Sequence, residues 1–116
     1  MADNENDIEI SPADARAKFE AGEVQLVDVR EQSEWDVSRI PGDVKHIPLG
    51  ELQARAGEIP TDKPVVFQCR SGGRSSMAAQ AFRAAGIEAY NLTGGLLDWN
   101  AQGLPVEPAG APVAEH

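Results

Sequence analysis

Five short runs of strand-forming residues alternate with stretches of helical pattern, and this alternation limits the possible folds more than any other feature of the chain. Ile8-Glu9-Ile10, residues 24–28, residues 44–47, Val65-Val66-Phe67-Gln68 and Ala89-Tyr90-Asn91-Leu92 read as strands. Between and after them, the spacing predicts helices over about 12–20, 31–37, 51–56, 75–85 and 96–102. Successive strands separated by a helix pair in parallel through right-handed crossovers, which place helices on both faces of the sheet. The expected fold is an α/β domain with an open, central parallel sheet. In such sheets ligands sit beyond the carboxyl ends of the strands, so a residue directly after a central apolar strand is well placed for chemistry.

Punctuation supports these boundaries. Ser11 can cap the first helix, Pro12 suits its first turn, Asp14 stands at capping-box spacing, and Gly22 closes it. Pro41-Gly42 breaks the chain before the third strand, Gly86 ends the fourth helix, and Gly94-Gly95 makes a sharp turn into the fifth. In the fourth helix Met77, Ala78, Ala81, Phe82 and Ala85 are expected to form the buried face, opposite Gln80 and Arg83. This gives an acidic lead over 1–7, one folded domain over 8–106, and a flexible tail over 107–116 that lacks periodicity.

Charge narrows the partners. With 19 acidic and 10 basic side chains the net charge is −9, a balance that repels phosphate backbones and anionic lipid surfaces. Nucleic acid and membrane are therefore not expected partners. The N-terminus is acidic where a secretory signal would be basic and then apolar, so the expected location is the cytoplasm. A single cysteine, Cys69, precludes an intramolecular disulfide, and with only His46 and His116 beside it no metal site is expected.

Against this acidic background two arginines cluster in Cys69-Arg70-Ser71-Gly72-Gly73-Arg74-Ser75, the segment that joins the fourth strand to an amphipathic helix. Adjacent glycines allow positive φ and let successive N–H groups converge on one point, which makes an anion nest. The helix that follows adds free N–H groups and the positive end of its dipole. In that field, with two guanidinium groups near, the Cys69 thiol is expected to ionise more readily than a free cysteine, and the thiolate is the nucleophile. Arg70, Ser71, Gly72, Gly73, Arg74 and Ser75 are the expected anion-binding residues, and the same fixed donors would stabilise charge that develops during reaction.

At this loop the chain resembles the rhodanese family, whose active-site loop starts with a cysteine at a strand end and closes on the next helix. The resemblance extends to Leu26-Val27-Asp28-Val29-Arg30-Glu31, Glu34-Trp35, Ile40-Pro41-Gly42, Ile47-Pro48-Leu49, Gly94-Gly95-Leu96-Leu97-Asp98-Trp99 and Gly103-Leu104-Pro105-Val106, in the family's order and spacing over about 8–106. It implies a single rhodanese-like domain with a five-stranded parallel sheet, and a sulfurtransferase of the thiosulfate type. Cys69 would take a sulfane sulfur from a small sulfur-containing anion such as thiosulfate and pass it, from a persulfide, to cyanide, a thiol or a thioredoxin-like protein. No cofactor is implied. The chain departs from the family where Gly-His commonly precedes Ile-Pro-Gly and Ala follows it, having Ser38-Arg39 and Asp43 instead.

Two alternatives stay open. One is a persulfide relay that docks on a larger sulfur-trafficking protein without turning over small donors. The other is a cysteine-dependent phosphatase or arsenate reductase. Related cell-cycle phosphatases, however, place five residues between cysteine and arginine and usually a histidine before the cysteine, whereas here four intervene and Gln68 precedes. Of the remaining motif residues, Arg30 is expected to anchor the connection after the second strand, with Asp28 oriented by backbone donors. Trp35 and Trp99 are expected to pack in the core rather than line a pocket, and His46 to have no catalytic role.

Overall fold

The strand-like runs assemble into one parallel sheet in the computed structural model, which describes residues 7–115. The acidic lead, apart from Asp7, and His116 lie outside the described residues. Strands β1 (Glu9–Ile10), β2 (Gln25–Asp28), β3 (Lys45–His46), β4 (Val65–Gln68) and β5 (Ala89–Leu92) are ordered β1-β5-β4-β2-β3. Every neighbouring pair is parallel. The helices are α1 (Pro12–Glu20), α2 (Gln32–Val37), α3 (Leu49–Arg55), extended by a 3-10 turn over Ala56–Glu58, α4 (Gly73–Ala84) and α5 (Gly95–Ala101).

β4 is buried at all four positions, as expected of a central strand covered on both faces. Its side chains alternate between two cores. Val65, Phe67 and Cys69 join Val27, Val29, Ile47, Ala78, Ala79 and Phe82 on one face, while Val66 joins Leu26, Ile40, Leu92, Leu96 and Trp99 on the other. Burying each large side chain contributes about 1.5–3 kcal/mol. The chain leaves β2 toward β3 on one side and β4 toward β5 on the other. The strand order therefore reverses between β2 and β4, and Cys69 follows β4 at that switch point.

Local expectations hold at many points. The Ser11 hydroxyl accepts from the Asp14 N–H at 3.2 Å, and Gly22 and Gly86 end their helices at φ of +75° and +85°. The buried face of α4 differs from the expectation: it consists of Ser75, Ala78, Ala79 and Phe82, while Met77 is 62% exposed and Ala81 and Ala85 face solvent. Alanines suit either side of a helix, so the sheet contact decides the rotation. Trp99 is core, with its Nε1 donating to the Pro105 carbonyl at 2.8 Å. Trp35 is only half-buried and stacks on His46 with ring centroids 4.9 Å apart, while Arg39 lies over its ring.

Residues 107–115, expected as a flexible tail, carry no helix and run along the domain. Arg39 and Glu107 exchange backbone hydrogen bonds at 3.0 and 2.8 Å, and the Ser38 hydroxyl donates to the Pro112 carbonyl at 2.7 Å. Val113 packs on the core that holds Trp99.

Candidate active site

β4 ends at Gln68 because the chain must leave the sheet to enter α4, and the intervening loop curls around the Cys69 sulfur. Gly72 takes a φ of +110°, which only glycine adopts readily, and Gly73 already begins the helix. One glycine therefore makes the turn, not two. The Cys69 Sγ accepts from the N–H of Gly72 at 3.1 Å and of Ser75 at 3.4 Å, with the Ser75 hydroxyl 3.3 Å away. Cys69 is only 1% exposed, but the N–H groups point at its sulfur, so burial and cradle coincide.

Burial pushes the Cys69 thiol up, but the N–H groups of Ser75, Gly72 and Ser71, joined by the Ser75 hydroxyl when its proton turns to the sulfur, hold it below the ordinary cysteine value. The N-terminal end of α4 thus favours the thiolate through donors that are already in place.

The arginines have other engagements. Arg74, expected to face the bound anion, donates from Nη1 and Nη2 to the Glu34 carboxylate at 2.7 and 2.9 Å. Glu34 is buried at the start of α2, and its Oε1 also accepts from the Glu31 N–H at 2.8 Å. Burial would raise the Glu34 carboxyl, but the hydrogen bonds from Arg74 and Glu31 and the positive charges of Arg74 and Arg30 keep it low. Arg70 donates from Nε to the Ala114 carbonyl at 3.0 Å, with Glu115 4.0 Å from Nη2. Its guanidinium lies under the C-terminal segment.

The other motif residues form the frame. Asp28 and Arg30 are fully buried, and Arg30 reaches Asp28 through Nε and Nη2 at 2.8–3.0 Å while Nη2 also donates to the Ser38 carbonyl at 2.8 Å. The Asp28 carboxylate accepts from the Arg30 N–H at 2.9 Å, so the pair ties β2 to the end of α2. Pro41 and Gly42 turn the chain into β3, with Gly42 at φ +107° against the Phe19 ring. Gly94 and Gly95, at φ +73° and +60°, let α5 abut the loop: Leu96 N–H donates to the Cys69 carbonyl at 2.8 Å and Leu97 N–H to the Arg70 carbonyl at 3.0 Å. A Cβ on Gly95 would sit 2.5 Å from the Cys69 carbonyl oxygen. The glycine pair is therefore a support for the cysteine loop. His46 bonds the Arg30 carbonyl through Nε2 at 2.8 Å, a structural contact.

A scan of known families matches residues 11–102 to the family described as Rhodanese-like domain. The chain belongs to the rhodanese family. It is 44% identical over 107 residues to the HTH-type transcriptional regulator Rv0324 of Mycobacterium tuberculosis, covering 90% of this chain and 46% of that protein. The rhodanese-like chain thus spans less than half of that relative. It is 39% identical over 85 residues to a sulfurtransferase of Allochromatium vinosum, covering 72% of this chain and 78% of the relative. Among solved structures, a rhodanese-related protein of Thermoplasma volcanium superposes with a TM-score of 0.79 at 28% identity, covering 84% of this chain and 95% of that one. Of these three, the Allochromatium vinosum protein is the one named a sulfurtransferase. Among the described residues no helix is long and apolar enough to cross a membrane.

Three residues of the site went unassigned from sequence: Glu34, Asn91 and Glu9. Glu34 belongs to a recognised motif but carried no role. Asn91 offers a signal of its own, as a polar side chain, 4% exposed, in an otherwise apolar strand. It accepts from the Ser75 hydroxyl and donates to Glu9.

Proposed function

We propose that this domain transfers a sulfane sulfur from a small anionic donor such as thiosulfate to a thiophilic acceptor, with Cys69 as the carrier. The observation that supports this reading most directly is the pair of N–H groups from Gly72 and Ser75 aimed at Cys69 Sγ. The thiolate attacks the outer sulfur of thiosulfate, a new S–S bond forms, the old one breaks, and sulfite leaves with the electron pair. The terminal sulfur of the persulfide then carries the negative charge, which the loop N–H groups of 71–75 are suited to hold. Cyanide, a small thiol or a thioredoxin-like protein next attacks that outer sulfur, and Cys69 departs as the thiolate. A cytoplasmic setting fits this cycle because reduced thiol acceptors are maintained there. The negative net charge disfavours nucleic acid and membrane as partners, and the loop N–H groups supply the local attraction for a small anion.

Intact-mass measurement after incubation with thiosulfate tests this reading. A gain of one sulfur atom, reversed by cyanide and absent in Cys69→Ser, is the expected result. Hydrolysis of an aryl phosphate without sulfur uptake would instead indicate phosphatase chemistry, which the engagement of Arg74 by Glu34 disfavours.

A second reading, a persulfide relay, is favoured by one observation: Cys69 is 1% exposed and Arg70 is held by the C-terminal segment, an arrangement suited to a docking protein that opens the mouth. Sulfur uptake from a protein persulfide but not from thiosulfate would identify it.

A further inference from the structure

A hydrogen-bonded chain runs from the edge of the sheet to the reactive sulfur. Glu9 on β1 stands beside Asn91 on β5 in the parallel register, and its carboxylate accepts from Asn91 Nδ2 at 3.1 Å to each oxygen. The Thr93 hydroxyl donates to the same carboxylate at 2.9 Å and fixes it further. A carboxylate only accepts, so it obliges the Asn91 amide to turn its nitrogen outward and its oxygen inward. That oxygen faces the buried Ser75 hydroxyl at 2.5 Å, and Ser75 must donate to it. The Ser75 oxygen lies 3.3 Å from Cys69 Sγ.

Ser75 has one hydroxyl proton and two claimants for it. While the proton points at Asn91, the hydroxyl offers the sulfur only a lone pair, which can accept from a protonated thiol but gives a thiolate no donor. To assist a thiolate, the proton must turn to Sγ and leave two oxygens facing each other without a hydrogen between them. We propose that Asn91, oriented by Glu9 and Thr93, is a positioning residue that holds the Ser75 hydroxyl away from the Cys69 thiolate and so restrains how much thiolate the resting site contains. The restraint is released once the sulfur is charged onto Cys69, because the inner sulfur no longer needs that donor. This role in turnover rests on the sulfurtransferase reading above; the ionisation effect itself does not.

Other charges surround the loop: Arg74, which interacts with the Cys69 charge, Arg70, Glu34 of α2 and Glu31 just before it, Asp98 of α5 against Gly94, and Glu115 beside Arg70. Glu9 differs from these in being joined to Ser75 by hydrogen bonds.

The test is the pH dependence of Cys69 alkylation by neutral iodoacetamide, which needs no sulfur donor and stands whether or not the domain transfers sulfur. Glu9→Ala frees the Asn91 amide to rotate and donate to Ser75. Alkylation on the acid side of the wild-type midpoint is expected to accelerate on the order of fivefold, and the midpoint to move down. Removing a negative charge acts in the same direction, so the comparison is repeated in a Ser75→Ala background, where the gain is expected to fall below about twofold. It is also repeated at about 1 M salt, where a through-space effect is screened and a hydrogen-bonded one persists. Equal acceleration in both backgrounds, its disappearance in salt, or no acceleration at all overturns the proposal. Should Ser75→Ala fail to fold, the salt comparison on Glu9→Ala decides.

Discussion

Arg74 and Glu34 form a two-pronged ion pair, with nitrogen–oxygen distances of 2.7 and 2.9 Å, that fastens the first turn of α4 to the first turn of α2. Glu34 is 2% and Arg74 18% exposed at the side chain, so solvent screens the pair little. Arg74 therefore acts on the cysteine loop by holding its shape as well as by its charge.

Breaking that pair is expected to cost both stability and activity. Glu34→Ala leaves Arg74 without its carboxylate and should destabilise the domain by about 2–3 kcal/mol, or roughly 10 °C in melting temperature. The Glu34 carboxyl titrates below its ordinary value in the folded protein. Its contribution is therefore present above the unfolded-state value and is lost as the pH falls through the lower, folded one. Acid unfolding of wild type and Glu34→Gln, followed by circular dichroism, should show the variant less sensitive to pH in that window.

Gly95 is expected to tolerate no side chain. Alanine there must adopt a φ of +60° and bring its Cβ to 2.5 Å from the Cys69 carbonyl oxygen, for a cost upward of about 2 kcal/mol and a displaced loop. Gly103, at φ +78° with open space around it, supplies the comparison: Gly103→Ala should cost only about 1 kcal/mol. Paired urea titrations of the two variants measure the difference.

Removing Arg30 exposes how the frame is held. Asp28 is fully buried, and Arg30→Ala would strand its carboxylate, a loss of about 3–5 kcal/mol. The double replacement Asp28→Asn with Arg30→Met should cost less than the single change, which calorimetry of both variants checks.

The C-terminal segment makes a separate prediction. Deleting 114–116 removes the Ala114 carbonyl and Glu115 from Arg70, freeing that guanidinium to meet an anion at the loop. The KM for thiosulfate is expected to fall a few-fold with the melting temperature nearly unchanged, since Val113 remains on the core. Steady-state rates with thiosulfate and cyanide read the effect.

The parts of this protein that could be read along the chain are those whose causes lie within a few residues of each other. Val65-Val66-Phe67-Gln68 reads as a central strand by composition, Cys69 is its next residue, and Gly72 gives the loop the positive φ it needs. Five strand-like runs separated by helices were enough for a parallel α/β sheet.

What escaped that reading joins residues far apart in the chain. Arg74 finds Glu34 across 40 positions, Arg70 finds Ala114 across 44, and Asn91 finds Glu9 across 82. Strand propensity and helical period do not state which strands are neighbours. Once β1 settles beside β5, and β2 beside β4, the partners of Asn91 and Arg74 are decided, and with them the direction in which each polar group donates. The rotation of α4 that leaves Met77 in solvent follows likewise from sheet contact, because a helix rich in alanine has no strong local preference for the face it buries.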